Sequence, residues 1–157
     1  MMMIQGLYET HISVSDLERA IAFYKDILEL EVASVDEDRR IAFFWVGKPK
    51  EYMLGLWEKP AGEVEKRHFA FRCSVDDVLN KSIAFLKARG LKPYNFLKDG
   101  NDKPMVFAWM PAVAIYFDDP DGNILEFIAV LDGPQNFDLG VLSYEDWLTA
   151  VGVAKQV

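Results

Sequence analysis

The stretch His11-Ile12-Ser13-Val14-Ser15-Asp16-Leu17-Glu18-Arg19-Ala20-Ile21-Ala22-Phe23-Tyr24-Lys25 changes its apolar period at Ser15-Asp16. Before that point, residues 7 to 14 alternate as a strand does. After it, Leu17, Ala20, Ile21, Tyr24 and Leu28 share one helical face behind a capping residue. The passage returns further along the chain. Ile21-Ala22-Phe23 with Lys25 recurs 62 residues on as Ile83-Ala84-Phe85 with Lys87, and His11 recurs 57 residues on as His68. The two offsets differ by five residues, an insertion between strand and helix in the second copy.

Working outward, β-like runs near 31 to 35, 41 to 46 and 52 to 57 follow the first helix, the last two parted by a turn at Gly47-Lys48-Pro49. This is a βαβββ unit. Lys59-Pro60-Ala61-Gly62 reads as a linker, and the order starts again with a strand at 67 to 73 and a helix from about 76 to 89 that Gly90 ends. Runs near 92 to 97, 105 to 117 and 123 to 130 complete the second unit. The predicted fold class is therefore α+β, with modules at about 5–58 and 63–130 in a domain spanning 1–130. Residues 131–157 form a C-terminal tail, rich in Gly, Asp and Pro up to 142. Its short helix, predicted over 143 to 154 with Leu142 or Tyr144 and Trp147, Leu148 and Val151 on the apolar face, packs on the domain or covers a pocket or partner subunit.

At 157 residues and 51% hydrophobic, the chain can bury a core without disulfides. Seventeen Lys and Arg against 25 Asp and Glu leave a net charge of −8, which gives no electrostatic source for general nucleic-acid or anionic-membrane binding. Cys73 is the only cysteine, so an internal disulfide and a cysteine-rich zinc site are excluded. The start Met1-Met2-Met3-Ile4-Gln5 lacks a secretory pattern, and no apolar run reaches membrane-spanning length. A cytoplasmic location is the expectation.

The chain has two histidines, and the repeat puts both at the same point of equivalent strands. By alternation His11 sides with Ser13 against Ile12 and Val14, and His68 with Ala70 and Arg72 against Phe69, Phe71 and Cys73. Helices covering the apolar faces leave both imidazoles on the opposite, concave face, able to offer lone pairs to a cation. In Asn123-Ile124-Leu125-Glu126-Phe127-Ile128-Ala129 a carboxylate is embedded among apolar residues and needs a partner: Arg72, a lysine or a metal. Two imidazoles and one carboxylate suit Zn²⁺, Mn²⁺, Ni²⁺ or Fe²⁺ with positions open for water or substrate.

Asp16-Leu17 followed by Ala20-Ile21-Ala22-Phe23-Tyr24 after a His-bearing strand, together with Tyr116-Phe117-Asp118-Asp119-Pro120-Asp121-Gly122-Asn123-Ile124-Leu125-Glu126, resembles the vicinal oxygen chelate superfamily of glyoxalase I, extradiol dioxygenases, and fosfomycin- and bleomycin-resistance proteins. The resemblance covers roughly residues 5 to 130. It implies two βαβββ modules in an eight-stranded incomplete barrel around one divalent metal, in a homodimer, with His11, His68 and Glu126 at the metal-ligand positions. Aligning Gly122 to Ile128 with Glu51 to Trp57 sets Gly55 opposite Glu126, so the fourth ligand of glyoxalase I is missing and a three-ligand site is expected. Ser13 and Tyr116 match a hydroxyl and a tyrosine of the fosfomycin enzymes' substrate pocket. Met110-Pro111-Ala112-Val113-Ala114 replaces their oxygen-bearing loop, which ranks that activity second.

The implied function is metal-dependent catalysis on a small substrate that chelates through adjacent oxygens, of isomerase, lyase or dioxygenase type. The contrasting class is a metal-free drug-binding module, which the intact ligand set disfavours. Tyr116 is the candidate acid or base, sharing a strand face with Ala114 and Asp118 against Ile115. Trp57, on the parity of Met53 and Gly55, and Ser13 are the candidate substrate contacts; the register of Trp45 and Trp109 stays open.

Overall fold

The computed structural model describes residues 2–152 as two units, one comprising the residues up to Arg67 together with Asp119–Asn123, the other His68–Asp118 and Ile124 onward. In the first unit β1 (Glu9–Val14), β2 (Glu31–Asp36), β3 (Ile41–Val46) and β4 (Tyr52–Glu58) form an open sheet in the order β1-β4-β3-β2. β1 runs parallel to β4 and the other pairs are antiparallel. Helix α1 (Leu17–Ala22) continues into a π turn at Phe23–Ile27, and Asp16 caps it by accepting from the Arg19 N–H at 2.9 Å. Leu17, Ala20 and Tyr24 of the expected face are buried, as are Ile12 and Val14 of β1, while His11 stays exposed. The alternation therefore assigns the faces of β1 correctly.

The second unit has the order β5-β8-β7-β6-β9, from β5 (His68–Arg72), β6 (Met105–Phe107), β7 (Ala112–Asp118), β8 (Ile124–Val130) and β9 (Val141–Ser143). Again the first pair, β5 and β8, is parallel. A π turn at Asp77–Lys81 leads into α2 (Ser82–Ala88). The expected strand at 92–97 shrinks to a single bridge between Tyr94 and Tyr116. Pro93 has no N–H to give, and the buried Asn95 side chain organises a loop instead by bonding Asp99, the Asn101 carbonyl and the Lys98 N–H. The run 105–117 divides into β6 and β7, because Pro111 cannot extend a ladder and the chain turns at Ala108–Met110.

Nine strands stand among the described residues rather than eight. The ninth, β9, lies in the C-terminal segment and pairs with β6. Behind it Ser143 caps α3 (Tyr144–Ala150) through the Asp146 N–H at 3.0 Å. Trp147, 3% exposed, packs with Val78, Val106, Ala108, Val113, Ala129 and Leu131. Residues 153 and 154 of the predicted helix lie outside the described residues. No helix among the described residues is long and apolar enough to cross a membrane.

Candidate functional site

In the second unit β5 and β8 place His68 beside Glu126, with Nε2 3.0 Å from Oε1. His68 Nδ1 lies 3.1 Å from the Ile124 carbonyl, an acceptor only, so Nδ1 carries the proton and Nε2 turns its lone pair to the carboxylate. Two acceptors face each other there, and a proton or a cation must stand between them. Glu126 is 4% exposed, and burial holds its carboxyl above the ordinary range against the pull of His68 and Tyr116. Its partners are thus His68 and Tyr116, not Arg72.

Tyr116 pairs directly across from Glu126 on β7, and its phenol lies within the electrostatic reach of the carboxylate. Burial, reinforced by the Glu126 charge, pushes the phenol up to about 12, so it keeps its proton at neutral pH. Its ring stacks on Tyr94 at 5.7 Å and 18°, and the Tyr94 hydroxyl donates to Asp118 at 2.6 Å. Ile115 and Phe117 on the other face are fully buried. The parity argument for Tyr116 agrees with this arrangement.

In the first unit His11 is arranged differently. The Trp57 indole N–H donates to His11 Nδ1 at 2.7 Å, so the ring proton sits on Nε2, which donates to Glu9 at 3.1 Å. A carboxylate fixing one nitrogen of an imidazole is typical of metal-ligating histidines. Here, however, the indole occupies the lone pair that a cation would need. The ring lies tight over β4: a Cβ on Gly55 would come within 2.6 Å of Nδ1. Ser13, on the same face, accepts the Glu65 N–H at 3.2 Å.

Register corrects the internal alignment. His68 pairs with Ile124 and Glu126 lies two residues beyond; His11 pairs with Gly55, and two residues beyond is Trp57. Trp57, not Gly55, therefore answers to Glu126, and each contacts the histidine of its own unit. Parity had placed Trp57 on the right face, but only cross-strand pairing shows what it replaces. Among the described residues no group of three His, Cys, Asp or Glu side chains is gathered for a metal. His68 and Glu126 fit a cation, while His11 fits only once Trp57 releases it. Cys73 is half-buried, and burial pushes its thiol up to about 11, too high for a neutral-pH nucleophile. Ala112, Val113 and Ala114 are buried and bring no side-chain oxygen.

The sequence profile of the Glyoxalase/Bleomycin resistance protein/Dioxygenase superfamily matches residues 6–127. The chain belongs to this superfamily. Among similar proteins, the uncharacterized protein YraH of Bacillus subtilis (strain 168) is 28% identical over 134 residues, covering 80% of this chain and 98% of YraH. The integron cassette protein HFX_CASS4, from the mobile metagenome of Halifax Harbour Sewage Outfall, has a solved structure at 31% identity and TM-score 0.68, covering 81% of this chain and all of that one. The lactoylglutathione lyase of Agrobacterium tumefaciens, at 21% identity, TM-score 0.62 and coverage of 82% and 96%, shares the fold.

Proposed function

We propose that this glyoxalase-superfamily chain is a divalent-metal-dependent enzyme of the lyase, isomerase or dioxygenase type. Its small substrate presents two adjacent oxygens, and its metal ligands are His68, Glu126 and His11. The observation that carries the reading is the buried Glu126 carboxylate facing His68 Nε2 at 3.0 Å. When bound, Zn²⁺, Mn²⁺, Ni²⁺ or Fe²⁺ supplies Lewis-acid polarisation of the substrate oxygens. The chain's own groups do the rest. Tyr116 holds a proton at its phenol oxygen and donates it beside Glu126, while Ser13 and Trp57 provide a hydroxyl and an apolar surface for the substrate.

Protein purified without an affinity tag should carry about one divalent metal per chain, measured by elemental analysis after dialysis. His68→Ala should drop this well below one, since it removes a ligand and leaves Glu126 without its imidazole. Full occupancy in a variant lacking both imidazoles would overturn the ligand set. A second reading, a metal-free module that sequesters a drug-like aromatic compound, draws on the Trp57 hydrogen bond that occupies His11. It predicts no bound metal and unchanged ligand binding in EDTA. The chain is further proposed to form a homodimer, since both sheets are open and open edges invite pairing. Light scattering should give twice the 17.9 kDa of one chain; a strict monomer would count against it.

A further inference from the structure

The first unit contains a pocket of about 280 Å³ lined by His11, Ile12, Ser13, Trp57, Lys59, Glu65 and Arg67. Its volume lies just under the lower bound for drug-sized sites, about 300 Å³, which limits a guest to a small molecule. Two of the seven lining side chains are cations, in a chain whose net charge is −8. They are not equivalent. Arg67 is ion-paired with Glu65, and its backbone N–H is held by the Asn123 side chain at 2.8 Å. Lys59 is exposed at the end of β4, fixed through its N–H to the Val14 carbonyl at 2.8 Å, and its ammonium pairs with no carboxylate among the described residues. Glu9, the other acidic group near His11, is already engaged by the imidazole.

The remaining lining suits an aromatic guest. The Trp57 indole is held by its bond to His11, and the Arg39 guanidinium lies 5.6 Å from its ring centroid, adding positive charge beside it. Ser13 is 9% exposed; its oxygen accepts from the Glu65 N–H and still has a hydrogen to donate. We propose that this pocket binds a small aromatic oxyanion, its carboxylate or phosphonate taken by Lys59 and the Ser13 hydroxyl and its ring laid against Trp57. The site lies within the first unit and uses no metal ion; because it shares His11, Ser13 and Trp57 with the proposed metal and substrate set, it rests on the metal-free reading, in which Trp57 keeps its bond to His11.

The test follows the Trp57 indole N–H resonance of the full chain, assigned with Trp57→Phe, in EDTA and low salt. Benzoate and phenylphosphonate should shift it saturably, benzamide of the same shape should not, and the tighter anion identifies the preferred headgroup. Lys59→Met should weaken the anions about five- to tenfold, as loss of one charge-assisted contact implies, and Lys59→Arg should restore binding. Added salt should weaken binding in the wild type more than in Lys59→Met. Equal binding of benzamide, or wild-type affinity in Lys59→Met, would overturn the proposal.

Discussion

Asp119→Ala should lower the thermal unfolding midpoint by about 10 °C. Asp119 is 5% exposed and accepts four hydrogen bonds: from the Tyr24 hydroxyl at 2.8 Å, the Asn123 side-chain amide at 2.8 Å, and the Asn123 and Asp121 N–H groups at 2.8 and 3.0 Å. Tyr24 is fully buried, so its hydroxyl has no water to turn to once the carboxylate is gone. Each orphaned buried donor costs roughly 1–3 kcal/mol. Several together, partly relieved by relaxation, come to about 3–5 kcal/mol, and a domain of this size loses about 2–4 °C per kcal/mol. Asp119→Asn keeps one acceptor and should lose about half as much.

The pH dependence of that loss has a definite sign. Burial holds the Asp119 carboxyl above its ordinary range despite its four donors. A group whose folded pKa is raised contributes fully below its unfolded pKa, and the contribution falls as pH rises through the folded value. The gap between wild type and Asp119→Asn should therefore narrow from acid to neutral pH. Circular dichroism melts across that range measure it. An unchanged midpoint in Asp119→Ala would mean that the turn does not tie α1 to its unit.

This turn shows what a sequence reading reaches and where it stops. Asp-Pro-Asp-Gly is legible as a chain reversal, and Gly122 does take φ +82° with its N–H on the Asp119 carbonyl at 3.0 Å. That Asp119 also anchors Tyr24, 95 residues earlier, is not legible, because a tertiary hydrogen bond leaves no periodic trace. The same division runs through the rest of the chain. The alternation around His11 and the helical face from Leu17 place Ile12, Val14, Leu17, Ala20 and Tyr24 in the core, since burial imposes those periods, but they do not reveal the burial of Ser13 beside them. Register within β4 is different: parity repeats every two residues, so a slip of two leaves every face unchanged and moves only the pairing. That slip hid the equivalence of Trp57 and Glu126. β9 was hidden for another reason, being three residues too short to alternate visibly and existing only because β6 offers an edge. His68 and Glu126 were readable as polar residues in apolar strands; the tautomers that make one a free lone pair and the other a hydrogen-bonded ring depend on Ile124 and Trp57 across the sheet.

Tyr116→Phe should cut turnover by roughly ten- to a thousandfold, the range that a positioned acid or base contributes, while metal content stays at its wild-type level. The substitution removes one oxygen and preserves the ring that stacks on Tyr94 and lies 5.7 Å from His68. The phenol, pushed up to about 12 by burial and by Glu126, is a donor at neutral pH and not a base. The pull of Glu126 on the phenol competes with any bond to substrate, so a cation neutralising that carboxylate would free the hydroxyl for the reacting oxygen. The loss should accordingly fall on kcat more than on KM, since a proton given up only as charge develops stabilises the transition state and not the bound substrate. Compounds with adjacent oxygens, screened on the metal-loaded protein, supply the substrate for this comparison. Unchanged kcat in Tyr116→Phe, at equal metal content, would remove the phenol from the reaction and assign the proton to a water.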